Sequence, residues 1–456
     1  VKDVVMLGVP RSSGILLSPA ALPGRFGMGE IGREAWHWLE ALVEMGQTVW
    51  WTPPLGPGAF GAEPLCGLAG NPLLVSFDAL RNDGALLPGD LALLPAFPSG
   101  RIDAGPTAEV RGAFLQLAAR RFLSQCEASP LMARAFELFC DRESEWLEDW
   151  ALFAALRQEQ GGRDWQDWPS GLARREAAVM ADAMVRLAAE IEEAKVLQFF
   201  FHRQWQKVRL RARELGVVLL GDLPLAVRAE SCEAWARQEL FSPEARGWLL
   251  PEAGATEDAE MWWRMRLSRQ LDLTDWARLE LPPEETAGPL PTGELWQRLR
   301  QDLSALPVLM DGTAGAARPE WMAALRLTLH GFAQEEGGHG MLPEEVEAEA
   351  AACLGTARTS SVRSFLSAAT DSPAGEAQRA WLGAYLGRED LDSSEAVQAC
   401  VERVLRSPAE LALLPLRDVL AQADDGPVGC WRFSWSALNE ETRQWLRRET
   451  EQAGRL

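Results

Sequence analysis

The chain has 456 residues, 47% of them hydrophobic, and a formal charge of −21 at neutral pH. That length suits one large barrel with insertions or two to three ordinary domains, and the charge argues against a general role on nucleic acid or anionic lipid, since both repel an acidic surface. No apolar run reaches the roughly 18 residues of a spanning helix, and no basic segment followed by an apolar one marks a signal sequence, so a soluble, cytoplasmic protein with no membrane contact is expected.

Residues 11–32 are rich in Gly, Pro and Ser and read as a loop. Residues 34–45 place Ala35, Trp38, Leu39, Leu42 and Val43 at helical spacing, and Gly46 ends the helix. A short strand follows at 48–52, closed by Pro53 and Pro54. From about 76 to 195 the pattern is helical and amphipathic, entered through the Pro/Gly-rich stretch 88–106, and reads as a helical insertion. A long helix at 193–215 is capped by Gly216 and leads into a buried strand at 217–220, after which Gly221-Asp222-Leu223-Pro224 reads as a turn. The same helix-to-strand step recurs at 261–280, ending Ala277-Arg278-Leu279-Glu280, and at 295–311, ending Pro307-Val308-Leu309-Met310-Asp311. This alternation predicts the α/β class and a (β/α)8 barrel, with 1–456 as a single barrel unit carrying the insertion. No repeat of fixed period is present.

Cys66, Cys126, Cys140, Cys232, Cys353, Cys400 and Cys430 are dispersed and never in a CxxC spacing, so reduced thiols are expected. His37, His202, His330 and His339 show no helical metal spacing, and neither a metal nor a cofactor is expected. With 20 Trp and one Tyr, Tyr385, any aromatic sugar platform is Trp or Phe.

Catalytic groups of barrels sit at the carboxyl ends of strands, and Asp222, Glu280 and Asp311 each follow an apolar strand-like run. Acids in that position, with few His or Cys available, point to carboxylate chemistry on glycosides. The same acids could instead cap the following helices, and the residues alone leave both readings open.

The run from Arg11-Ser12-Ser13-Gly14 through Leu22-Pro23-Gly24, followed by Gly27-Met28-Gly29-Glu30, resembles the opening of the amylomaltases, the 4-α-glucanotransferases, where it reads RSSGILLHPTSLPG and then GIGD. Gly46-Gln47, Trp50, residues 54–57, 69–74 and 149–153, Gln204-Trp205, residues 221–224, Val227, Ser231 and Trp235 continue the resemblance, and residues 407–409 and 415–418 resemble the family's closing block. The resemblance implies a retaining mechanism without a cofactor. An aspartate attacks the anomeric carbon, a glutamate acts as acid and base, and a second aspartate steadies the transition state. The first two carboxyl groups lie about 5–5.5 Å apart. It also implies an α-1,4-glucan or maltooligosaccharide as ligand, with Asp222, Arg278, Trp235 and Asn71 as substrate-binding residues.

The sequence departs from that pattern at the chemistry. Where the family reads FDLVRIDHFRG, residues 274–282 keep the arginine as Arg278 but put Glu280 at the nucleophile. Where it reads PIIAEDLG, the acid/base position holds Asp311, and where it reads TGTHDND the His-Asp pair is Ala357-Arg358. The family's SPYQSFSAFAGNP is shortened and loses its tyrosine, its GQLWGNPLY has no counterpart between Phe241 and Trp262, and its NWSWR has become residues 430–434. Each carboxylate swap moves the acid by about 1 Å, enough to cost about 100-fold. The two swaps could compensate, but Arg358 puts a cation at the stabiliser position, where the developing oxocarbenium charge needs an anion. Two classes follow. One is an impaired, glucan-binding member of α-1,4-glucan and glycogen–maltodextrin metabolism, with a protein partner as a further possibility. The other is an active 4-α-glucanotransferase.

Overall fold

The computed structural model describes residues 11–58, 60–61, 63–251, 257–281, 286, 288, 293–302, 308–310, 327–329, 342–348, 350–357, 359, 361–364, 373–391, 394–423 and 429–456. Its strands are β1 (Ser12–Leu16), β2 (Val49–Thr52), β3 (Val218–Pro224), β4 (Val227–Arg228), β5 (Trp248–Leu249), β6 (Trp276–Glu280), β7 (Val308–Met310), β8 (Leu327–Leu329), β9 (Ala351–Cys353) and β10 (Leu411–Pro415). Apart from the small antiparallel ribbon β4–β5, they form one eight-stranded sheet in the order β7-β6-β3-β2-β1-β10-β9-β8. Every pairing in that sheet is parallel, and β1 pairs with β10, the last strand among the described residues. Chain order therefore follows the circle of a (β/α)8 barrel, as parallel strands joined by helical crossovers require.

Alternation along the strands divides the core in two. Leu16, Val49, Trp51, Leu220, Trp276, Leu309, Cys353 and Leu413 form the cluster inside the barrel. Their strand neighbours Ile15, Trp50, Leu219 and Leu414 belong to the larger core shared with the helices. The side-chain period of 2 in a strand is the reason. At the opposite end from the cavity described below, Arg455 donates to the carbonyls of Ser12, Leu405, Ser407, Ala409 and Glu410, fastening the starts of β1 and β10 to the preceding chain.

Between β2 and β3 the described residues carry helices and one isolated bridge, Arg101 with Trp431. The long helices are Ala104–Ala128, Pro130–Arg142, Ser144–Glu159 and Ala188–Glu214. They hold the segment around Asn71 by buried polar side chains. Gln198 both accepts from Gly70 N–H (2.8 Å) and donates to its carbonyl (2.9 Å). Gln204 accepts from Ser76 N–H at 2.6 Å. Arg111, wholly buried, donates to the carbonyls of Phe26, Leu73 and Val75 and pairs with Glu30 at 2.8 Å. Burial pushes the Glu30 carboxyl above its ordinary range against the pull of Arg111.

Three sequence expectations change. Residues 11–32 are not loop throughout: residues 12–16 form β1, paired with both β2 and β10 in the sheet. Residues 221–224 are not a turn: β3 runs through to Pro224, because pairing with β6 continues as Asp222↔Arg278 and Pro224↔Glu280. Gly221 serves close packing, since a Cβ there would lie 2.4 Å from Gln270 Nε2 and 2.7 Å from Thr274 Cγ2. Val43, placed on the buried face of its helix by periodicity, is 40% exposed. Among the described residues, no helix is long and apolar enough to cross a membrane.

His202, on the helix Ala188–Glu214, packs against Phe139 with ring centroids 5.5 Å apart, and its Nε2 lies 2.9 Å from Arg142 Nη2. A guanidinium only donates, so this ring nitrogen accepts and the imidazole is neutral. Burial, together with Arg269 and Arg142, lowers its pKa to about 4. A histidine whose folded pKa is depressed supports stability above its unfolded pKa of about 6.5 and loses that support as pH falls through its folded value. The melting temperature should therefore drop between pH 6.5 and about 4, and His202→Phe, which keeps the ring stacking, should flatten that drop. Equal slopes for the two proteins in calorimetry at stepped pH would contradict this assignment.

Candidate active site

A cavity of about 170 Å³ opens at the carboxyl ends of the strands. Residues 16–18 at the end of β1, 53–55 after β2, Asp222 on β3, Glu280 on β6, 356–357 after β9 and 415–417 at the end of β10 line it, joined by Glu63, Asn71 and Trp431 from longer loops. This is the face on which barrels build their sites.

The register of β3 and β6 organises the floor. Parallel pairing sets Asp222 beside Arg278 and, at the next inward position, Pro224 beside Glu280. Arg278 Nη1 lies 2.9 Å from Asp222 Oδ1 and Nη2 lies 4.0 Å from Glu280 Oε1, with the side chains of Arg278 and Asp222 only 1% and 3% exposed. Trp51, from the neighbouring strand β2, donates its indole N–H to the same Asp222 oxygen at 2.6 Å, and the guanidinium sits 5.2 Å from the Trp51 ring. The cation is thus shared between a buried aspartate and the carboxylate at the cavity wall. A buried charge without such partners would be costly.

A second layer fixes the strand ends. Leu225 N–H donates to the Glu280 carbonyl at 3.0 Å, and buried Arg266 donates to the carbonyls of Pro224 (2.7 Å) and Leu225 (3.0 Å). Burial pushes the Arg266 guanidinium down to about 10, although nearby Glu233 pulls it the other way. Glu233 in turn accepts from Gly67 N–H at 2.7 Å, which anchors the loop following Glu63.

Of the residues singled out from the sequence, Asp222, Arg278 and Glu280 come together, and Asn71 joins them at the cavity wall. Asn71 Oδ1 accepts from Leu73 N–H at 3.0 Å and so caps the short helix Pro72–Leu74. Trp235 is not at the cavity. It is fully buried among Phe153 and Trp168, with its indole N–H donated to the Leu172 carbonyl at 3.0 Å. Its single polar atom is spent in the core, which corrects the expectation of a sugar contact. Asp311 and Arg358 lie outside the described residues.

Other lining residues were overlooked as site residues: Ser18, Ala20, Ala21, Glu63, Thr356, Arg417 and Trp431. Ser18, Glu63 and Thr356 lie in loops, and Ala20, Ala21 and Arg417 in the short helices Pro19–Ala21 and Leu416–Val419, too short to show a periodicity. Arg417 lies 5.9 Å from the Trp431 ring, whose N–H donates to Gln422 at 3.1 Å. Among the described residues, no cluster of His, Cys, Asp or Glu could hold a metal ion.

A family profile described as 4-alpha-glucanotransferase of glycoside hydrolase family 77 matches residues 17–261. A 4-alpha-glucanotransferase from Thermus thermophilus is 30% identical over 511 aligned positions, covering 98% of this chain and all of that one. The chain belongs to the 4-α-glucanotransferase family. A Synechocystis 4-alpha-glucanotransferase is 37% identical over 247 residues, covering 54% of this chain and 47% of that one. Among solved structures, an amylomaltase from Streptococcus agalactiae in complex with acarbose superposes with a TM-score of 0.82 at 23% identity, covering 98% of this chain and 99% of that one. Within this 4-α-glucanotransferase framework, the family's opening run has His, Thr and Ser where this chain has Ser18, Ala20 and Ala21, and all three of these line the cavity.

The Asp222–Arg278 pair makes a stability prediction. Arg278→Met leaves Asp222 buried without its cation and should cost about 3–5 kcal/mol in urea unfolding. The double variant Asp222→Asn/Arg278→Met should recover much of that loss. Additive losses in the mutant cycle would contradict the pairing.

Proposed function

We propose that the cavity binds α-1,4-glucan segments and that catalysis in it is strongly impaired. The observation that carries this reading is Glu280. It ends β6 at the cavity wall, where the family motif has the aspartate nucleophile, and it lies 4.0 Å from the guanidinium of Arg278. Its carboxylate is one methylene longer than the family's, and a misplacement of about 1 Å costs about 100-fold. The remaining departures act in the same direction. Asp311 is shorter than the family's acid/base glutamate, and Arg358 replaces the stabilising aspartate with a cation, inverting the electrostatic help the oxocarbenium ion needs. Ala357, in the cavity wall, stands where the motif has His.

Binding is the function that survives. Carboxylates accept hydrogen bonds from sugar hydroxyls, and Asp222, Glu280 and Glu63 supply them here. A non-catalytic, glucan-binding member of glycogen–maltodextrin metabolism fits this set of groups. The second reading is an active transferase in which the longer Glu280 and shorter Asp311 compensate, since their summed length equals the family's.

Product chromatography after incubation with maltotriose separates the two. Disproportionation to glucose and longer maltodextrins should run at least about 100-fold below an intact amylomaltase. Restoring Asp at 280, Glu at 311 and Asp at 358 together should recover little, because the altered loop residues stay altered. A comparable rate from the unmodified protein would return it to the active class.

A further inference from the structure

Two free thiols, Cys66 and Cys232, meet behind the cavity. Cys66 lies in the segment between Glu63 and Asn71, both of which line the cavity. Cys232 opens the short helix Cys232–Ala236, and its backbone N–H donates to the Leu65 carbonyl at 2.7 Å. On the other side of Cys66, Gly67 N–H donates to the Glu233 carboxylate at 2.7 Å. These two bonds bracket Cys66 against Cys232. A direct backbone hydrogen bond holds two segments about 5 Å apart, within the roughly 4.4–6.8 Å that a disulfide spans between Cα atoms. The side chains also touch: the Cys232 thiol donates to the Cys66 sulfur, and the Cys66 thiol donates to Glu233. Both residues are buried, at 1% and 3% exposure. The family's run SPYQSFSAFAGNP holds no cysteine, whereas its shortened counterpart here contains Cys66.

We infer that Cys66 and Cys232 are a reversible oxidative modification site, a dithiol that closes to a disulfide and staples the cavity segment of Glu63 and Asn71 to the helix Cys232–Ala236. The oxidant is a low-molecular-weight disulfide. One cysteine, as thiolate, attacks a sulfur of it, breaking that S–S bond and releasing one thiol. The second cysteine then attacks the mixed disulfide, forming the Cys66–Cys232 bond and releasing the other thiol. The two cysteines lose two electrons and two protons, and the oxidant gains them. Closure takes the Cys66 donor from Glu233, but the carboxylate keeps Gly67 N–H and its attraction to Arg266. Its far end is already fixed, since Trp235 of the same helix packs on Phe153 and Trp168. The bond therefore adds a covalent anchor to a segment that Gln198 and Glu233 hold by hydrogen bonds.

The test incubates the native full chain with excess glutathione disulfide, desalts it in acid and denatures it in excess N-ethylmaleimide. The unreduced digest is then mapped by mass spectrometry. A Cys66–Cys232 linked peptide should appear over minutes to hours, because buried sulfurs exchange only when the segment opens. Two of the seven thiols should escape alkylation, and dithiothreitol should restore them. Closing so long a loop should raise the melting temperature by about 5 °C. Cys66→Ser should abolish both the link and the rise, and if that variant does not fold, the map of the unmodified chain decides. Glutathione adducts on Cys66 or Cys232 without the link overturn the inference. So do two thiols that stay alkylatable at saturating oxidant, or a link that forms only in urea. A link that leaves the melting temperature unchanged or lower, or a rise that persists in folded Cys66→Ser, overturns the staple.

Discussion

The cavity floor depends on one buried cation. Arg278 lies inside a parallel barrel, in register with Asp222 on the next strand, and its other nitrogen faces Glu280 at 4.0 Å. Around it, the apolar cluster inside the barrel includes Trp51, Leu220, Trp276 and Leu309. A guanidinium persists there only because an aspartate faces it and an indole donor satisfies that aspartate. Everything at the cavity floor is arranged around that requirement. β3 must extend to Pro224 so that Asp222 stays in register, and Arg266 holds the carbonyls just beyond it.

Under the proposed reading, the same arrangement lets a glucan site persist while its chemistry fades. Recognition of hydroxyls needs carboxylates near the right place, and Asp222 and Glu280 are there. Retaining transfer needs more: a nucleophile at bonding distance, an acid about 5–5.5 Å away, and an anionic surrounding for the oxocarbenium ion. Glu280 reaches from the strand end with an extra methylene and lies close to a cation. Binding tolerates a displaced carboxylate far better than catalysis does, because only the transition state demands the full geometry.

Much of this was legible in the sequence, and the gaps have physical causes. Asp222, Arg278 and Glu280 were readable because each follows an apolar strand-like run, and barrel strands deliver their last residues to one face. Gly221 misled: Gly followed by Asp, Leu and Pro reads as a turn, yet the glycine answers the approach of Gln270 and Thr274, which local sequence does not encode. Trp235 misled for a related reason, since an indole that packs in a core and one that stacks on a sugar have the same local pattern, and only tertiary contacts with Phe153, Trp168 and Leu172 decide. Ser18, Ala20 and Ala21 were passed over because they cap or lie in the short helix Pro19–Ala21, too short to show a periodicity, although their difference from the family's run was visible. The family profile matches residues 17–261 and so ends ahead of β6, which places Glu280 beyond the matched stretch.

The central claim is that the cavity holds a glucan without forming a bond to Glu280. A crystal of the full chain soaked with maltoheptaose tests it most directly. The account predicts intact sugar in the cavity, with hydroxyls on Asp222 and Glu280 and no continuous density from Glu280 to an anomeric carbon. A glucosyl group covalently attached to Glu280, or shortened product in the cavity, would contradict impaired catalysis, and a cavity left empty at saturating ligand would contradict binding.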